Sequence, residues 1–187
     1  MNLLHKIKAR SGFTLAETLL TVLILLLVSG IVATGIPVAK NVYDKTIVAA
    51  NAQVLLSTAV TALKDELGTA WDVAIGEDGK SFTYFSADTG ARTRVYMDGN
   101  TIKIQDYTEV DGLIITTDSG VGTPRPLISQ KSMTDNLIVR YDAENSGLSG
   151  DTISINKIEV CRNGSEDALA GLDSLVIRPV SIHTSTT

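Results

Sequence analysis

The sequence predicts an α+β protein. One long N-terminal helix spans a membrane, and its second half packs on a mainly antiparallel β-sheet. Three observations predict this. Thr18–Ala39 is a run of 22 uncharged residues dense in Leu, Val and Ile. Beyond it Asp44, Asn51, Thr58 and Asp65 recur every seven positions. After Gly68 short β-favouring runs alternate with turn residues. The length of 187 residues allows one ordinary domain with an appended segment. With 44% hydrophobic and 20% charged residues, the chain has the apolar content a packed core requires.

The charge is unevenly placed. Lys6, Lys8 and Arg10 stand in the first twelve residues, which contain no acid, while the chain as a whole carries −5. An acidic body argues against binding a phosphate backbone, so nucleic acid is not expected as the primary partner. A basic tip ahead of an apolar run predicts an N-in, C-out orientation by the positive-inside rule.

The elements follow in order. Residues 1–12 form a basic leader. Residues 13–39 form a membrane helix, because 22 helical residues extend about 33 Å against a hydrocarbon core of about 30 Å. An ordinary secretory signal is the competing reading, with a small-x-small site at Ala33-Thr34-Gly35 and release of a soluble binding protein after Gly35. The apolar run exceeds the usual 7–15 residues of a signal h-region. Glu17, at the start of that run, is an acid that a signal peptide does not need and that membrane insertion disfavours.

Gly12-Phe13-Thr14-Leu15-Ala16-Glu17-Thr18-Leu19-Leu20, following the basic leader, resembles the processing site of type IV pilins and pseudopilins. The resemblance covers about the first forty residues. It implies cleavage after Gly12 by a membrane-embedded prepilin peptidase and N-methylation of the new terminus at Phe13. It also implies that Glu17 is the glutamate used in assembly. Ala16 and Thr18 are smaller or more polar than the aliphatic residues common there, and Pro37 lies further from the cut than the helix-interrupting proline of many members. The implied partners are the peptidase, other pilin subunits in a helical polymer, an assembly platform protein, and the membrane before assembly. The implied shape is a ladle. Physical chemistry supports these roles. A neighbour staggered by about 6 Å, four residues at about 1.5 Å each, could bring its terminal amine to the Glu17 carboxylate. In a low-dielectric setting such pairing is strong and an unpaired acid is costly.

Residues 40–67 read as an amphipathic stalk, with Val42, Ala49, Leu56, Val60, Leu63 and Leu67 on one face, widened by Val48, Leu55 and Ala59. Gln53 interrupts that face and Gly68 ends the helix. A kink is allowed near Gly35-Ile36-Pro37. Residues 68–187 form the extracytoplasmic β-rich domain. Strands are expected at Ser81–Ser86, Arg94–Met97, Thr101–Tyr107, Leu113–Thr117, Leu137–Tyr141, Thr152–Cys161 and Leu175–Val180. Asp98-Gly99-Asn100 is a hairpin turn, Ser119–Pro126 and Glu144–Asp151 are loops, and a bulge is expected near Asn156.

No catalytic residue, metal or cofactor is assigned. A hydrolase would have to use His183, since the other histidine, His5, lies in the leader, and no nucleophile-elbow motif accompanies it. One Cys and two His cannot close a zinc site without carboxylates. Asp142 to Asp151 lacks calcium-loop spacing and reads as a solvated acidic loop. Cys161 cannot form an intrachain disulfide and reads as a small buried hydrophobe in a strand. The expected function is therefore a structural, non-enzymatic subunit of a type IV pilus or a related secretion or DNA-uptake filament.

Overall fold

The computed structural model describes residues 14–110, 113–115, 122–129, 131 and 133–183. Helix α1 runs from Leu15 to Gly68. It continues through Pro37 and ends on the expected glycine. Proline brings no N–H, so the carbonyl four residues earlier loses its usual donor. That carbonyl is Ala33's; one turn earlier the Thr34 hydroxyl donates to the carbonyls of Gly30 and Ile31, at 3.2 and 3.0 Å.

The chain divides into two compact units at Thr46/Ile47, within α1. In the first unit, the described residues are helical from Leu15, and all of them are exposed. Its Leu, Val and Ile side chains are each more than half exposed. By length and composition this helix can cross a membrane.

The second unit carries the strands. They are β1 (Trp71–Ile75), β2 (Phe82–Phe85), β3 (Arg92–Asp98), β4 (Thr101–Val110), β5 (Leu113–Ile115), β6 (Arg125–Pro126), β7 (Leu137–Ser149), β8 (Thr152–Arg162) and β9 (Ala168–Ile177). One antiparallel sheet has the order β1-β2-β3-β4-β5, with β6 also on β4, and the second has the order β7-β8-β9. The β3–β4 hairpin turns at Gly99, whose φ of 58° at the first central position suits a type II′ turn.

A single apolar cluster joins this unit. Ala52, Leu55, Leu56, Ala59, Leu63 and Leu67 of α1 share it with Phe82, Tyr84, Val95 and Ile104 of the first sheet and Val139, Ile153, Ile155 and Val160 of the second. The spacing 52, 55, 56, 59, 63, 67 is one face of an α-helix. The fold is thus α+β: a long apolar N-terminal helix followed by antiparallel sheets.

Several sequence expectations need correction. Val42 and Ala49 are exposed, whereas Ala52 belongs to the buried face. Glu144–Ser149 is strand rather than loop, because β7 continues to a tight turn at Gly150 with φ of 60°. The last long strand is Ala168–Ile177 rather than Leu175–Val180, set by its pairing with β8. Strands β1 and β6 were not expected. Of the Leu113–Thr117 strand, Leu113–Ile115 is described, and residues 116–117 lie outside the described residues. The bulge near Asn156 is present: the β7 register slips between Arg140↔Glu159 and Asp142↔Asn156, and Lys157 has φ of 53°.

Candidate processing and assembly site

Gly12 and Phe13, the residues of the expected cut, lie outside the described residues. Glu17 is described, in the first turn of α1. Thr14 caps the helix. Its backbone N–H donates to Glu17 Oε2 at 3.0 Å, and its hydroxyl donates to the same oxygen at 3.2 Å. The Glu17 N–H returns a bond to Thr14 Oγ1 at 3.3 Å. This reciprocal pattern is a capping box, which satisfies donors that a helix start leaves without intrahelical partners. Its sequence signature is the Thr-x-x-Glu spacing of Thr14 and Glu17, a feature separate from the assembly role expected of Glu17.

The helix start gathers the polar groups of this region. Thr18 and Thr21 turn their hydroxyls back onto the carbonyls of Leu15 and Glu17, at 2.9 and 2.7 Å. From Val22 to Val28 no polar side chain follows. A carboxylate in the first turn also meets the positive end of the helix dipole. Glu17 Oε2 is thus engaged, while Oε1 accepts no hydrogen bond among the described residues. Chemically, the helix start presents one acid with a spare acceptor at the head of a long apolar surface.

The remaining residues weighed from sequence lie in the second unit. Cys161 is fully buried in β8, and burial pushes its thiol up. The Asp142 carboxylate is held low by the side-chain amide and backbone N–H of Asn145 and by the N–H of Glu144. Those bonds fold the acidic stretch onto itself. Among the described residues no three His, Cys, Asp or Glu side chains are grouped to hold a metal ion.

His183 does not stand in a loose tail. Its Nδ1 lies 2.6 Å from Asp72 Oδ1, and Asp72 Oδ2 pairs with Arg92 at 3.1 Å. A His–Asp pair is two-thirds of a hydrolytic triad, yet no Ser or Cys side chain hydrogen-bonds to His183 among the described residues. Asp72 has φ of 54°, a left-handed conformation that signals a constrained position. Sequence reasoning had no route to this contact, because its two residues are 111 positions apart.

No protein-family model, curated protein or solved structure matches the chain.

Proposed function

We propose that this chain is a structural subunit, a major or minor pilin or pseudopilin, of a type IV pilus or a related secretion or DNA-uptake filament. The observation that carries the reading is the first unit's helix. Its residues are exposed from Leu15 to Thr46, and between Leu15 and Ala39 the one acid, Glu17, sits in the first turn. Such a helix needs lipid or other apolar helices around it, and a membrane followed by a polymer supplies both in turn.

In this reading prepilin peptidase cuts between Gly12 and Phe13 on the cytoplasmic side, and Phe13 becomes the methylated terminus. The platform protein receives the processed subunit, and the β-rich unit lies outside the cytoplasm. Glu17 then accepts the terminal amine of a neighbouring subunit. The ladle arrangement of the family, with a stalk helix backed by a sheet, is part of the proposal. The globular unit serves as a structural head and not as an enzyme.

Release by signal peptidase after Gly35 is the other reading. Gly35 lies inside α1, so cleavage there requires the helix to unwind. Sequencing the mature N-terminus, with intact mass, separates the two. A start at methylated Phe13 is the expected result, and a start at Ile36 overturns the proposal.

A further inference from the structure

Strand β1 is the edge of the larger sheet, and its outward side is already occupied. Residues 180–183 run along it, with one parallel bridge between Val73 and Ile182. The pairing is dense for so short a segment. Val180 N–H donates to Ala70 O at 2.8 Å, and His183 N–H donates to Val73 O at 2.8 Å. Val73 N–H donates to Ser181 O at 3.1 Å, and Asp72 N–H donates to Ser181 Oγ at 2.8 Å.

The two adjacent N–H groups of Asp72 and Val73 reach the same residue because β1 is irregular there. Its register with β2 shifts between Trp71 and Ala74, and Asp72 is left-handed. The Asp72 side chain then fastens both sides of the contact, with one oxygen on His183 of the strap and the other beside Arg92 of β3. Pro179 is buried just before the strap, and Ile182 packs against the core.

An uncovered edge strand offers unpaired backbone groups to any extended chain. This edge is flanked by Trp71 and Ile75, which are about half exposed, at 50% and 45%. We propose that residues 180–183 are a guard strap that keeps the β1 edge from pairing with β1 of a second copy of this chain, and that Asp72 is the residue that fastens it. The second copy is the natural occupant, because two antiparallel β1 edges present the same backbone groups and the same apolar pair to each other. The proposal concerns the second unit alone and stands whether or not the chain is a filament subunit.

The test uses the full chain in detergent and three variants: Asp72→Gly, a chain ending at Pro179, and that truncation combined with Ile75→Lys. Glycine keeps the left-handed backbone while deleting the carboxylate. Hydrogen exchange is read at Val73 and His183, with the amides of β3 as a reference for the fold, and self-association is read by sedimentation across a concentration series. In Asp72→Gly, exchange at Val73 and His183 should be about ten-fold faster, with β3 unchanged. The truncated chain should self-associate at least about ten-fold more tightly than the parent, and Ile75→Lys should reverse this by placing a charge on the edge. Parental exchange at Val73 and His183 in Asp72→Gly overturns the fastening role. A truncated chain that keeps β3 protection and the parent's association overturns the guard. Should the truncation lose β3 protection, Asp72→Gly decides alone: faster exchange without tighter association overturns the guard.

Discussion

At the residue scale, Glu17 has one role in the structure and a second in the proposed filament, and substitution can separate them. The carboxylate completes a capping box with Thr14, and in the proposed polymer it also accepts an amine. Glu17→Gln keeps an acceptor at the third helical position, which a capping box tolerates, but removes the charge. Glu17→Ala removes both. Both variants should insert in the membrane and be processed after Gly12. Both should lose filaments at least about ten-fold in sheared yield, because the incoming amine has lost its counter-charge in a low-dielectric setting. If Gln assembles normally and Ala does not, helix capping is the operative role and the charge is not.

Asp78 illustrates how a turn uses a carboxylate. Burial pushes it up, but the Ser81 hydroxyl, the Lys80 N–H and the Arg94 guanidinium together outweigh burial and hold it at about 2. A folded-state value below the usual carboxylate range contributes stability above about pH 3.8, and that contribution is lost as pH falls through about 2. Acid unfolding of the parent should therefore steepen between pH 4 and 2, roughly. Asp78→Asn should be less stable at neutral pH and show a flatter acid limb in a denaturant series. The group is more than one-third exposed, so solvent screening keeps the effect modest.

At the element scale, α1 changes character along its length. Leu63 is fully buried among both sheets' side chains, whereas Val42 is 60% exposed. Leu63→Ala should cost about 2–5 kcal/mol of unfolding free energy through lost burial and the cavity left behind. Val42→Ala should lie within about 0.5 kcal/mol of the parent in the same denaturation measurement. Equal costs at the two sites would contradict the assigned faces. Tyr84 adds a specific link: its buried hydroxyl donates to Glu66 of α1 at 2.8 Å, and burial pushes the phenol well up. That bond ties β2 to the helix at one fixed point.

At the scale of the whole molecule, the core of the second unit is built, among the described residues, from that unit's own side chains. Its earliest buried member is Ala52. A chain beginning at Asp44 should therefore be soluble without detergent and unfold in one cooperative transition. Circular dichroism with thermal melting checks this, and aggregation or a non-cooperative melt would show that the apolar helix stabilises the second unit.

The same division explains what could be read in advance. An uncharged run of 22 residues, an acid at its head and a terminating glycine are local signals, so a long helix apolar enough to cross a membrane was legible from sequence alone. The Asp98-Gly99-Asn100 hairpin and the bulge near Asn156 were legible for the same reason: turn chemistry and strand period act over a few residues. Strand β1 was not legible. Its five residues are irregular at Asp72, and they are held in part by a strap more than a hundred positions away. The choice between Ala49 and Ala52 on the helix face depended on which way the sheets approach, and small apolar residues do not encode that direction. The candidate site divides in the same way. Gly12, Phe13 and Glu17 form a contiguous motif, so the processing and assembly residues of the proposal are read from sequence alone. The Asp72–His183–Arg92 cluster was decided only by tertiary structure, because long-range pairing depends on the summed packing of the core and no short stretch of sequence carries that sum.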